Sequence, residues 1–318
     1  MHTFRSPKKI LLRHVNNDDN KRAEDFYTLH GEDELPLCLE RGYNGITTAE
    51  FPCSTFVRIV GSCYGTFFLK INNSLSLWNP SIRHKLSVPK CPQKPDELET
   101  FPWAGIGLGF DLMSDDYKIV WISESRKSSF VYAVKTGAWC EIASPTPQFS
   151  YVLDDALFFN GVLHWEVHRD HIKSQDIYLP SYILTFDLST HVFGMIRLLE
   201  PGWCWRTTEL TTIQGSLALI SYRMDVDDTW IRVWRDASWY VVFKLGTNQL
   251  PIEGALQLKP QPTINDGDLL LKTFEEGVQV YNPKTRVRSR VVNFNVASYV
   301  INFFEYVETL HLLDKSTI

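Results

Sequence analysis

The sequence predicts an all-β repeat fold, and three observations predict it. An apolar-aromatic run, a tight polar turn and a second apolar run recur along the chain, most clearly as Leu77-Trp78-Asn79-Pro80-Ser81-Ile82-Arg83 and Val280-Tyr281-Asn282-Pro283-Lys284-Thr285-Arg286-Val287. The aromatics ahead of each turn, Tyr27, Trp78, Tyr132, Phe186, Trp234 and Tyr281, follow one another at intervals of 51, 54, 54, 48 and 47 residues. No stretch places apolar residues at helical spacing, so very little helix is expected. A unit near fifty residues built of strand, turn and strand marks a propeller blade, because a lone sheet of that size cannot bury its own faces. The expectation is a single β-propeller of about six blades of short antiparallel strands.

One propeller of that size uses nearly all of the 318 residues without a second domain. At 44% hydrophobic and 13% aromatic, with ten Trp, the chain has ample material for a core and is too apolar for disorder. A net charge of −5 leaves no electrostatic footprint for nucleic acid or an anionic membrane. The six cysteines contain no CxxC pair and are expected to be reduced thiols of an intracellular protein. No eighteen-residue apolar run exists, and the apolar run after Lys8-Lys9 is too short for a signal peptide, so a cytoplasmic or nuclear protein is expected.

Taken in order, Lys9–Val15 and Phe26–His30 read as strands, and residues 31–55 as a long loop or short edge strands. Val57–Cys63, Thr66–Ile71, Leu75–Trp78 and Lys85–Pro89 are four strands separated by turn chemistry, which is one blade. The next unit opens at Gly105–Asp111, turns at Ser114-Asp115-Asp116 and resumes at Tyr117–Ile122. The third opens at Ala156–Phe159, where Asn160-Gly161 between apolar runs is the strongest hairpin signal in the chain. Gln214-Gly215 and Asp266-Gly267 repeat that signal. N- and C-terminal strands are expected to share one blade, since an open propeller would leave exposed sheet edges.

Few constellations carry chemistry. Gly105-x-Gly107-x-Gly109 lacks the strand-to-helix GxGxxG of a dinucleotide site, and reads instead as strand glycines where sheets approach closely. His164-x-Glu166-x-His168-x-x-His171 offers metal-ligand types on one strand face, but without HExxH or further ligands it reads as a solvated strand end and loop. Asp115-Asp116 and Asp154-Asp155 read as turn acids rather than an acid/base pair. Asp225, Asp227 and Asp228 lack the glycine and distal glutamate of a calcium loop. No GxSxG, P-loop or Cys/His nucleophile pair appears, so no catalytic residue, metal or cofactor is expected. Pro201-Gly202-Trp203-Cys204-Trp205-Arg206 places Trp203, Trp205 and Arg206, of the residue types that dominate binding hot spots, in an expected loop between blades; packing of both indoles in the inter-blade core is the competing expectation.

Ile59–Gly65, Leu77–Arg83, Gly107–Asp111 with Ser114–Val120, Val131–Trp139 and Phe159–Trp165 resemble the successive motifs of the plant F-box-associated interaction domain. Ile231–Trp234 with Trp239, and Tyr306–Leu310, resemble the C-terminal half of that family, in particular its S-locus F-box and S-haplotype-specific F-box branch. The resemblance implies the substrate-receptor subunit of an SCF-type E3 ubiquitin ligase. In that family an N-terminal F-box docks a Skp1-like adaptor and the associated domain binds the protein to be ubiquitinated. In the S-locus branch the targets are pistil ribonucleases of self-incompatibility.

Residues 1–7 are too few for a helical F-box, so the expectation is a short N-terminal tail followed by an F-box-associated propeller over residues 8–318, with a Skp1-like adaptor bound only if an F-box is supplied. The double glycine of true kelch blades is absent, and the blade count rests on spacing. The expected function is non-enzymatic presentation of a target protein, with no nucleic acid and no membrane as partner. Two other expectations stand beside it: a metal-dependent propeller hydrolase or lectin using His164, Glu166 and His168, and a truncated scaffold that competes for the same targets without a ligase link.

Overall fold

The polar turn pairs that punctuate the sequence are where the chain reverses. The computed structural model describes residues 8–16, 24–31, 57–71, 74–92, 105–123, 128–146, 149, 151–152, 155–168, 182–198, 205–213, 215–223, 228–245, 269–273, 277–282, 285, 287–290 and 298–309. Apart from a single 3₁₀ turn at Pro80–Ile82, regular structure among these residues is strand throughout. None of their helices is long and apolar enough to cross a membrane. By contact density the chain divides into two compact units, Met1–Ser54 with Thr211–Val307 and Thr55–Leu210 with Glu308–Ile318.

The chain opens with β1 (Lys8–Asn16) and β2 (Glu24–Gly31). The unit from Thr55 begins with β3 (Val57–Cys63), β4 (Thr66–Ile71), β5 (Ser74–Asn79) and β6 (His84–Val88), a four-stranded antiparallel meander. It continues with β7 (Gly105–Asp111), β8 (Asp116–Ile122), β9 (Ser129–Ala133) and β10 (Ala138–Ile142), a second meander. The third sheet holds β11 (Tyr151–Val152), β12 (Leu157–Phe159), β13 (Val162–His168), β14 (Tyr182–Asp187) and β15 (Val192–Arg197), with β11 and β12 both paired to β13.

The next sheet is β16 (Trp205–Ile213), β17 (Ser216–Arg223), β18 (Asp228–Arg235) and β19 (Ser238–Leu245), followed by β20 (Leu269–Thr273), β21 (Gly277–Asn282) and β22 (Val287–Arg290). The last strand, β23 (Ser298–Val307), pairs with β1, which also pairs with β2. The first and last described strands therefore share one sheet, as expected. Residues 32–54, Trp203 and the Asp266-Gly267 turn lie outside the described residues.

The recurring motif has a local physical cause. In the four-stranded sheets, and along the β11–β13–β14–β15 path of the third sheet, the marker aromatic sits on the third strand, just before the hairpin to the fourth. Tyr132, Phe186 and Trp234 each face an aromatic across that hairpin, Trp139 at 5.3 Å, Phe193 at 4.7 Å and Trp239 at 5.2 Å. Where Asn or Asp follows the marker, its side chain closes the turn: Asn79 Oδ1 accepts from Ser81 N, Asp187 Oδ1 from Ser189 N and Thr190 N, and Asn282 Oδ1 from Thr285 N, all at 2.8–2.9 Å. Cross-strand aromatic pairs and Asx turns thus set register at each repeat.

In the unit from Thr55 the sheet β7–β10 is covered on both faces, which is why β8 is buried along its whole length. One face packs Ile106, Leu108, Ile119 and Trp121 against Phe68 and Leu77. The other packs Val120 and Ile122 against Leu163, Trp165, Leu184 and Phe186. The glycine ladder lies where β7 meets the third sheet. A Cβ on Gly107 would collide with the Cβ of Ala156, and one on Gly109 would come within 2.5 Å of Leu188 Cδ1 and 2.7 Å of Phe158 Cδ2. Close sheet approach is therefore the role of these glycines, as expected.

Candidate functional site

Hairpin turns of the unit from Thr55 gather at one end of its sheets, and side chains tie them together. Asp111 ends β7 and closes the β7–β8 turn by accepting from Met113 N at 2.9 Å and Ser114 Oγ at 2.6 Å. Lys118, on β8, donates to Asp111 Oδ2 at 2.8 Å, to the Leu188 carbonyl at 2.8 Å, and lies 3.0 Å from His191 Nε2. Ser189 Oγ donates to the other Asp111 oxygen at 2.5 Å. The β14–β15 turn is thereby clamped onto the β7–β8 turn.

Further ties extend the clamp. Lys135 N donates to both oxygens of Asp116 and Lys135 Nζ donates to the Ser114 carbonyl at 2.8 Å, which fastens the β9–β10 turn. Leu188 N donates to the Gly161 carbonyl at 3.1 Å. Tyr117 Oη donates to the Tyr64 carbonyl at 2.9 Å. Asn160 (φ 49°) and Gly161 (φ 78°) are both left-handed, the geometry that makes Asn-Gly the preferred two-residue hairpin.

Electrostatics at the base of the cluster are set by burial and pairing. Burial alone would raise the Asp111 carboxyl, but hydrogen bonds from Lys118, Ser114, Ser189 and Met113 N outweigh it and hold the group well below the usual carboxylate range. His191 is pushed down by its burial and by the Lys118 cation. With Lys118 donating, Nε2 of His191 must accept, so the imidazole is neutral with its proton on Nδ1. The ring stacks on Phe186 at 5.9 Å.

On this locked base stand Leu112 and Met113, 69% and 84% exposed. The same turn carries Ser114 and Asp115, the latter in an exposed pair with Lys135, and the turns clamped to it carry the hydroxyls of Thr136, Ser189 and Thr190. Adjacent exposed apolar side chains within a polar rim are the pattern of a protein-contact point, and Met adapts readily to different surfaces.

The other sequence-predicted positions fall elsewhere. Trp205 and Arg206 begin β16, so they start a strand and do not lie in the loop expected for them. His164 and Glu166 are 6% and 5% exposed inside β13, which corrects the solvated strand end expected there. His164 is paired with Leu157 of β12 and Thr185 of β14, and Glu166 with Ile183 of β14. Burial lowers the His164 imidazole to about 4, against backbone hydrogen bonds at Leu157 and Val162. His171 and Asp154 lie outside the described residues, as do Asp225 and Asp227, while Asp228 begins β18. Asp115 is at a turn tip, but Asp116 is buried in β8, and Asp155 pairs with Arg58 at 2.8 Å. No three His, Cys, Asp or Glu side chains group as metal ligands among the described residues.

Sequence inspection assigned no role to Asp111, Lys118, Ser189 or His191. A signal existed: Phe110-Asp111 and Phe186-Asp187 both end a strand on an aromatic followed by an acid. What joins the two turns is side-chain contact 78 residues apart, which no local pattern carries.

The model of the family described as F-box associated beta propeller domain matches residues 43–239. The chain belongs to that family. F-box associated propeller relatives include the Arabidopsis thaliana F-box/kelch-repeat protein At3g23880, 26% identical over 269 residues that cover 77% of this chain and 68% of that protein. F-box protein CPR1 of Arabidopsis thaliana is 27% identical over 58% of this chain and 51% of its own length. The Putative F-box protein At3g16210 is 27% identical over 55% of this chain, and is itself 45% covered, so the chain spans about half the length of these two relatives. Among solved structures, TolB from Acinetobacter baumannii superposes with a TM-score of 0.57 at 11% identity, covering 95% of this chain and 67% of that one. The all-β propeller fold of the family is thus the fold of this chain.

Proposed function

We propose that this F-box associated propeller is the substrate-recognition module of an SCF-type E3 ubiquitin ligase: it holds a target protein for ubiquitination and performs no catalysis itself. One observation carries the choice of surface, the pair Leu112 and Met113 exposed on a turn that the buried Asp111–Lys118 pair and the Ser189 hydroxyl immobilise. A preorganised apolar contact loses little entropy on binding, which suits a receptor. Membership of a family whose relatives are named F-box proteins supports the ligase context.

Residues 8–318 form, on this proposal, one propeller domain that works in the cytoplasm or nucleus. A Skp1-like adaptor joins where an F-box is supplied, and a pistil ribonuclease is the target if the protein serves self-incompatibility. Trp203, Trp205 and Arg206 are a second contact set on the same proposal.

The test is capture of partners from plant extract by this chain and by the same chain with an F-box fused to its start. Retention of one common protein by both, with the Skp1-like adaptor retained by the fusion alone, is the expected outcome. Retention of no protein by either chain would overturn the proposal.

A further inference from the structure

At the end of the first meander opposite the turn cluster, where β4 passes to β5 and β6 runs out, lies a cavity of about 300 Å³. Ser76 and Ser87, directly opposed on β5 and β6, line it beside Lys85 and Lys90, and Val88 and Trp121 supply apolar wall. No carboxylate lines it. Neither lysine makes an ion pair with a described residue, in contrast to Lys118 and Lys135.

Sequence charge runs the same way. The chain carries a net −5, yet the described stretch 74–92 contains Arg83, Lys85 and Lys90 and no Asp or Glu; Asp96, Glu97 and Glu99 follow outside the described residues. β6 also pairs with β5 alone among the described strands, so among these its outer edge is unpaired. After the exposed His84, exposed Lys85 and Ser87 alternate with half-buried Leu86 and buried Val88. A strand edge recognises extended peptide backbone, and a pocket on alternate side chains adds selectivity.

We propose that this cavity and the edge of β6 bind an extended acidic segment of a protein partner. Its backbone pairs along β6, and one carboxylate enters the cavity between the Lys85 and Lys90 ammoniums and accepts from the Ser76 and Ser87 hydroxyls. The proposal rests on the receptor function above and adds the chemistry of a docking segment to it.

The probe is a fluorescein-labelled peptide alternating glutamate and valine, titrated against the whole chain by anisotropy at low ionic strength. Saturable binding is expected, weakened by about tenfold or more in the Lys85→Glu/Lys90→Glu double variant and left unchanged in Arg235→Glu, an exposed cation of β18 outside both proposed sites. Ser87→Tyr, which fills the cavity without altering charge, is expected to weaken binding as well, and circular dichroism confirms that each variant is folded. Equal affinity of the native chain and the double variant overturns the inference. Displacement of the peptide by millimolar inorganic phosphate overturns it too, since the site would then be one for small anions. Capture of the extract partner by the double variant at the native level sinks this inference while leaving the receptor function standing; absence of any captured partner, with lysine-dependent peptide binding intact, does the reverse.

Discussion

Lys118 Nζ approaches Nε2 of His191 to 3.0 Å while it pairs with Asp111 at 2.8 Å, so a neutral imidazole and a buried ion pair share one ammonium across two sheets. The pair is nearly sealed, with side-chain exposures of 9% for Lys118 and 3% for Asp111. Removing the cation alone would leave a carboxylate buried beside three neutral donors. Lys118→Met is therefore expected to cost about 3–5 kcal/mol, while Asp111→Asn in the same background restores part of it, because the pair and not the lysine is what burial requires. Urea midpoints of the native, single and double variants measure the coupling. Additive losses would show that the two residues act independently.

Acid should weaken the fold before its carboxylates protonate. His164 is buried and lowered to about 4, against 6.5 for an ordinary imidazole. Between those values the unfolded chain binds the proton and the folded chain does not. Stability is therefore full above pH 6.5 and falls as pH drops toward 4, by up to about 3 kcal/mol from this group. His191 is lowered too and acts in the same direction. Asp111, held low, adds its loss only at still lower pH. Thermal midpoints of the native chain and His164→Gln across pH 7.5 to 4.5 should converge as the pH falls; parallel curves would remove His164 from the account.

The fold was legible because its cause is local. Marker aromatics, Asx turns and Asn160-Gly161 each act within a hairpin, and each leaves its residues adjacent in sequence. Gly107 and Gly109 were legible as close-approach positions for the same reason that alternate residues of a strand share a face. The candidate site was not, because Asp111, Lys118, Ser189 and His191 meet only when β7–β8 and the β14–β15 turn pack together. His164 and Glu166 misled by type: ionisable residues near a polar stretch suggest solvent, whereas both lie buried within β13.

The glycine ladder gives a graded packing test. An added methyl at Gly107 or Gly109 meets Ala156, Leu188 or Phe158 inside van der Waals contact, whereas at Gly61 nothing lies within 4 Å. Gly107→Ala and Gly109→Ala should each cost about 1–3 kcal/mol by overpacking, and Gly61→Ala should be near neutral or slightly stabilising. Denaturation midpoints order the three. Equal loss at Gly61 would place the effect in strand backbone rather than in sheet approach.

One hairpin carries avoidable strain. Asp236 (φ 48°) and Ala237 (φ 56°) are both left-handed between β18 and β19, although neither is glycine. Ala237→Gly creates the Asp-Gly pair that this turn favours. A gain of about 0.5–1 kcal/mol is expected, since relief of the Cβ conflict exceeds the added freedom of the unfolded chain. A lower melting midpoint for the variant would contradict this.

Leu112 and Met113 separate recognition from stability. Both are largely exposed, and the turn they occupy is held by Asp111, Ser114 and the Met113 backbone N–H rather than by their side chains. Leu112→Ser/Met113→Ser therefore leaves every hydrogen bond of the clamp in place, and the unfolding free energy should stay within about 0.5 kcal/mol of the native chain. Binding of the captured partner should fall by about 2 kcal/mol or more if the pair fills a pocket at the centre of the contact, because truncation there removes buried area and admits water. Partner affinity and melting measured on the same preparation decide it. Unchanged affinity with unchanged melting would move recognition away from this turn, to the β5–β6 cavity or to the start of β16.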